Sequence, residues 1–257
     1  MTQATHPKPE AAVPHRPADR PAHIGLQRYS TAEFLVALVL LFVSTPFVEH
    51  IPHGRAVEAL LMTLVLVSGV LAVGRRRRTL VWGMVLVLPA LAGKWLNHFW
   101  KDLAPEELFF ITVLVFLVFL IWQFLHFILR APRVNSEVMC AGISVYLLLG
   151  LMFMFAYLLL ARAIPGAFAF SNGPAASQTM NGFTAYYFSF VTLTTVGYGD
   201  VTPVADGARA LAVLESMTGT LYVAVLISRL VALYSSEGLR SVGKKTDAAA
   251  NDLNRPT

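Results

Sequence analysis

Cysteine and charge are what this chain has least of. A single cysteine, Cys140, stands among 257 residues. No intrachain disulfide can form, and in an apolar run this side chain reads as a small packing residue. Charged residues make up 14% of the chain, against about a quarter in a soluble domain. That shortfall excludes an ordinary soluble fold. The net charge of +5 is modest. Basic residues gather at the ends of apolar runs and form no basic face on a soluble domain, so nucleic acid is not an expected partner. A phosphate-cradling glycine loop, paired carboxylates and a nucleophile with its base are all missing, so neither catalytic residues nor a cofactor are expected. Glu49, His50 and His53 lie close in sequence. Pro52 separates the histidines and no fourth ligand follows, so this stretch reads as a polar loop at a membrane face and not as a metal site.

What the chain does have is apolar length. Hydrophobic residues make up 56%, arranged in runs near the roughly 20 residues that cross a bilayer as helix. The fold class expected is an all-α integral membrane protein with six transmembrane helices, a short re-entrant helix and a following loop. The spans read as Ala32 to Val48, Val57 to Val73, Thr79 to Leu96, Leu108 to Leu129, Val138 to Leu160 and Gly207 to Leu233. Pro46 is expected to break the end of the first. Arg75 to Arg78 cost too much to bury, about 2.5 to 3.5 kcal/mol each at a helix centre, and mark a loop. Lys94, Trp95, Asn97, His98, Trp100 and Lys101 read as an interfacial belt. Four segments follow: a disordered tail at 1–31, a four-helix membrane domain at 32–134, a second membrane module at 135–234 and a short polar tail at 235–257. The leading tail is too long for a signal peptide and lacks a clean cleavage site.

Charge asymmetry sets an orientation. With six spans and both termini inside, the inner segments carry fifteen of the twenty Lys and Arg residues and the outer segments five. This bias fits the positive-inside rule and a plasma (inner) membrane location with both termini cytoplasmic.

One short run stands apart. Thr194-Thr195-Val196-Gly197-Tyr198-Gly199-Asp200 follows an aromatic and β-branched stretch from Phe183 to Leu193 and precedes the last apolar run. A dehydrated ion needs a cage of oxygens. Backbone carbonyls supply one if successive residues aim them the same way, and glycines at alternate positions tolerate the positive φ that this requires. Gly197 and Gly199 have that spacing, and Thr195 can add a hydroxyl. Val196 and Tyr198 can turn outward and pack behind. Five extended residues span at most roughly 17 Å, short of the ~30 Å hydrocarbon layer. The run therefore covers part of the membrane and needs protein or a water-filled cavity around it.

Thr195 to Gly199 read TVGYG, and this run closely resembles the selectivity filter of the potassium channels. The resemblance covers about Phe183 to Leu233 well, the fifth span by pattern and the first four hardly at all. It implies a passive K+ channel in which four copies each supply one filter wall, hence a homotetramer. It further implies K+-coordinating carbonyls at Thr195, Val196, Gly197 and Tyr198 with Gly199 at the mouth, and filter support from Thr194, Asp200 and Tyr187. Tyr187 stands where the family often bonds the filter Asp. A gating hinge is implied at Gly219, and cavity lining at Thr220, Val223 and Ile227. Val191 stands where some members carry a buried acid. K+ is then the permeant ligand and the only metal, with membrane lipid and a regulatory subunit of unknown kind as further partners.

A voltage sensor needs a basic residue at every third position deep in a span. The fourth span has none before His126 and Arg130, so weak or no voltage sensing is expected. A cation channel of poor selectivity, or a membrane sensor or scaffold with a non-conducting pore, are the alternatives. Glu215 sits two turns into the last span, either as a charge felt by ions, as a partner of Arg209, or as a carboxylate satisfied behind the filter.

Overall fold

The computed structural model of the protein describes residues 31–48, 54–73, 77–99, 106–131, 135–171 and 179–253. The segments read above as the leading tail (1–30), the Glu49 to His53 stretch, Arg75 and Arg76, and Trp100 and Lys101 lie outside the described residues.

Seven helices and one short strand pair make up the described chain. The helices α1 (Thr31–Val48), α2 (Gly54–Val73), α3 (Arg77–Phe99), α4 (Glu106–Arg130) and α5 (Ser136–Ala163) come first. Strand β1 (Phe168–Phe170), helix α6 (Gly182–Leu193), strand β2 (Val201–Pro203) and helix α7 (Asp206–Leu253) complete the order. Local chemistry sets several of these ends. Asn135 caps α5 by accepting from the Val138 N–H at 3.0 Å, and Asn181 caps α6 by accepting from Thr184 N–H at 2.8 Å. Past the end of α5, Gly166 takes a left-handed φ of 79°, which turns the chain back.

Three helices are long and apolar enough to cross a membrane: Glu107–Arg130, Ser136–Ala163 and Asp206–Ala232. The first three helices hold shorter apolar stretches, Thr31–Phe47, Ala59–Val73 and Arg78–Gly93. Of the six expected spans, three are therefore matched on length and composition and three are not. Pro46 does not cut α1 short, since the helix runs on to Val48.

Two further expectations change. The fold is not wholly helical, because β1 pairs antiparallel with β2, Phe168 opposite Pro203 and Phe170 opposite Val201. Strands of three residues are too short to show alternation, and their pairing bridges more than thirty positions. The stretch after α5 buries Ala167 and Phe168 as well. At the far end α7 does not stop near Leu233 but stays helical to Leu253.

One continuous apolar core joins the first four helices to α5 and the tip of α6. Phe34 of α1, Leu66 of α2, Phe116 and Leu120 of α4 and Leu148 of α5 are all fully buried. Phe34 stacks on Phe124 with ring centres 5.2 Å apart, and Phe42 meets Phe190 of α6 edge-on at 4.9 Å. Helices α1 and α4 therefore brace α5 directly, with α2 and α3 packed behind them, and α1 also meets α6, the helix that carries the Thr195 to Gly199 run.

Candidate functional site

The site begins at the C-terminal end of α6. Helices leave their last carbonyls without an internal partner, and here the following run takes them. The carbonyl of Val191 accepts from Val196 N–H at 2.9 Å and from Gly197 N–H at 3.3 Å. The carbonyl of Thr192 accepts from Thr195 N–H at 2.9 Å, and the Thr194 hydroxyl donates back to Phe190 O at 2.6 Å. The first half of the run thus hangs from the last turn of α6.

The backbone of the run then alternates. Thr195, Gly197 and Gly199 have φ values of 60°, 57° and 81°, the left-handed region, with Val196 and Tyr198 between them outside it. At Gly197 and Gly199 an added Cβ would meet nothing within 4 Å. Within the single chain it is the backbone conformation, and not space, that demands glycine there. Thr195 is a β-branched residue in the same region, a conformation costing of order 1 to 3 kcal/mol that its surroundings must over-determine. The glycine pattern pointed to two of these three positions. Nothing in the sequence marked the third, since threonine is not a residue that chooses a positive φ.

The outer end is held by side chains. Tyr187 of α6 donates its hydroxyl to Asp200 Oδ2 at 2.8 Å, and its ring stacks parallel to Tyr198 with centres 6.2 Å apart. Asp200 Oδ1 accepts from Val201 N–H at 3.1 Å. Beyond β1, Ser171 N–H donates to Asp200 O at 2.8 Å and its hydroxyl to Gly199 O at 3.3 Å. Ser171 and the strand pair are a support that the sequence did not reveal.

Helix α7 approaches the run from behind. Ser216 donates its hydroxyl to Thr192 O at 3.3 Å. A Cβ on Gly219 would come within 2.6 Å of Leu193 O, so this glycine lets the helix backbone sit against the tip of α6. That contact gives Gly219 a packing role whether or not the helix bends there. Thr220, Val223 and Ile227 lie exposed on α7, with the Thr220 hydroxyl donating to Ser216 O at 2.9 Å. Glu215 is fully buried and faces Tyr157 and Ser189. Arg209 lies apart from it, 3.8 Å from Asp206 and bonded to Pro203 O. Of the roles open to Glu215, the carboxylate satisfied behind the run fits this placement. Among the described residues no group of three or more His, Cys, Asp and Glu could hold a metal ion.

Known proteins bear on this arrangement. Residues 154–236, which hold the end of α5, all of α6, the run and most of the apolar part of α7, match the family model described as "Ion channel". Over 145 residues the chain is 30% identical to the voltage-gated potassium channel Kch of Escherichia coli, covering 56% of this chain and 30% of that one. Over 84 residues it is 36% identical to the two pore potassium channel c of Oryza sativa subsp. japonica, covering 31% and 18%. A stretch of 43 residues is 49% identical to the calcium-gated potassium channel TvoK of Thermoplasma volcanium, covering 17% and 12%. Each match spans less than a third of the relative's own length. The resemblance to the potassium channel family, first carried by TVGYG, is supported by these matches.

Proposed function

On the premise that its pore module is kin to those of potassium channels, we propose that this protein is a potassium-selective channel. It passes K+ passively across the membrane through a homotetrameric pore, with weak or no voltage sensing, and catalyses no reaction. The observation that carries this reading is the alternating left-handed backbone at Thr195, Gly197 and Gly199, suspended from the tip of α6. Such alternation is the condition for carbonyls of successive residues to face one axis. In this reading Thr195, Val196, Gly197 and Tyr198 coordinate dehydrated K+, Gly199 opens to the outer mouth, and Tyr187 with Asp200 keeps the strand from collapsing sideways.

Exposure supports assembly with further copies, and analogy supplies the number four. Val196 and Tyr198 are 54% and 71% exposed in the single chain. Apolar groups this near an ion path need cover, and neighbouring copies around one axis supply it. Thr220, Val223 and Ile227 then line the inner cavity, with Gly219 as the hinge above them. The shorter helices α1 to α3 cross as well, which gives six spans with both termini cytoplasmic in the plasma (inner) membrane and the charge bias already described. Lipid surrounds the tetramer, and a regulatory subunit or an unidentified stimulus sets opening. Weak voltage sensing rests on α4, which carries no Arg or Lys between Glu107 and Arg130.

The test is K+ flux into liposomes holding the purified protein. K+-selective flux in the parent that falls by about 5- to 150-fold in Gly197→Ala, the range set by a strained backbone position, is the expected result. Equal flux in the two proteins would remove Gly197 from the ion path. Flux of K+ and Na+ alike would make this a channel of poor selectivity, and no flux under any condition a membrane scaffold.

A further inference from the structure

The most unusual group in the membrane part of the molecule is Glu215. Its side chain is completely enclosed, as are Tyr157 and Ser189 beside it. An acid buried there costs several kcal/mol unless it is hydrogen-bonded, and both partners are hydroxyls from other helices. Tyr157 of α5 donates to Oε2 at 2.6 Å, and Ser189 of α6 lies 2.5 Å from Oε1. Ser189 also lies 2.8 Å from the carbonyl of Gly150 on α5. One carboxyl on α7 therefore joins three helices. An aromatic trio closes this cluster: Tyr157, Phe188 and Phe168 meet edge-on with centres 4.8 to 5.8 Å apart. Phe168 comes from β1, the strand that pairs with the chain leaving the filter.

The cluster lies one turn from what holds the filter. Ser189 precedes Val191 and Thr192, whose carbonyls accept from the N–H groups of Thr195, Val196 and Gly197. The next α7 residue, Ser216, grips Thr192 O, and Gly219 rests on Leu193. Residues 215, 216 and 219 thus hold α6 at successive points along its last two turns. A shift of α6 along α7 would carry the whole start of the filter with it.

The geometry points to Glu215 as a positioning residue for selective conduction. By fixing the pore helix against both long helices, it keeps the filter at one depth and one width. This inference rests on the channel reading above and adds to it a residue that touches no ion.

The experiment compares K+/Na+ permeability ratios of the reconstituted full-length protein and four variants, with assembly checked for each. Glu215→Leu keeps the bulk and removes both acceptors; its ratio is expected to fall about tenfold, as the loss of two buried hydrogen bonds implies. Tyr157→Phe and Ser189→Ala each remove a single hydroxyl, and each is expected to lower the ratio less than Glu215→Leu does. Glu215→Gln is the conservative variant. Its amide can accept from Tyr157 and donate to Ser189, freeing the Ser189 hydrogen for Gly150, so the ratio should return to within about twofold of the parent. Such a rescue would not come from bulk alone. If Glu215→Leu does not assemble, Tyr157→Phe and Ser189→Ala carry the test. A selective parent whose assembled variants all keep its ratio would overturn the positioning role. So would Glu215→Gln losing as much selectivity as Glu215→Leu. A parent without K+ selectivity would instead overturn the channel reading, and the two failures are distinct.

Discussion

Helices α5 and α7 are both long, apolar and built to cross a membrane, yet the chain treats them differently. Within its membrane-spanning part, 56% of α5 is buried inside the chain, against 11% of α7. Leu148 of α5 is enclosed by its own chain, whereas Leu221 of α7 is 59% exposed. Composition does not explain the difference, because both helices are rich in the same residues. Position does. Helix α5 packs on α1, α4 and α6, while α7 touches α5, α6, β2 and the end of α4 and leaves the rest open. Burial within the chain thus marks α5 as scaffold, and its lack marks α7 as the helix whose neighbours are other copies, lipid or water.

The widest contrast is expected between equal truncations of the two helices. Leu148→Ala should lower the stability of the detergent-solubilised chain by about 2 to 5 kcal/mol, as cavities in closed cores do. Leu221→Ala should leave the thermal unfolding of the chain within about 0.5 kcal/mol of the parent and reduce the tetramer fraction seen by native mass spectrometry. Equal effects on unfolding, with no change in assembly for Leu221→Ala, would break the comparison.

A smaller change should follow from the one place where α7 is tightly held. Gly219→Ala puts a methyl against Leu193 O. Overpacking of this kind costs about 1 to 3 kcal/mol, so a thermal melt should show a loss in that range together with altered K+ flux. Altered flux with an unchanged melt would favour bending at Gly219 over packing.

The smallest effect concerns α4, the helix that leans on α5. It carries no charge through the membrane to move in a field. Open probability is expected to stay nearly flat between about −100 and +100 mV, the range over which a moving gating charge would gain about 2.3 kcal/mol per 100 mV. A steep conductance curve from single-channel recording would assign a sensing role to some other group.

The sequence disclosed these regions unequally. TVGYG was legible because its chemistry is local: glycines at alternate positions announce their backbone. The apolar helices were legible from composition, with ends set one to three residues wider by polar caps such as Asn135 and Asn181. Contacts between distant positions were not legible. The pairing of Phe168 to Phe170 with Val201 to Pro203 depends on the chain returning past the filter. Glu215 stood out as an acid in an apolar run, yet its partners Tyr157 and Ser189 lie 58 and 26 positions away, and tyrosine and serine in such helices carry no signal of what they face. The positive φ of Thr195 was hidden for the opposite reason, since local preference argues against it. Helix α7 was read as ending near Leu233 because the following residues turn polar, but polarity ends a membrane span and need not end a helix.

The most direct measurement is the reversal potential of the purified protein in a planar bilayer, with K+ on one side and Na+ on the other. A selective filter at Thr195 to Gly199 should place it well towards the K+ equilibrium, with each tenfold of permeability ratio moving it about 59 mV from zero. Clear current reversing near zero would contradict selectivity.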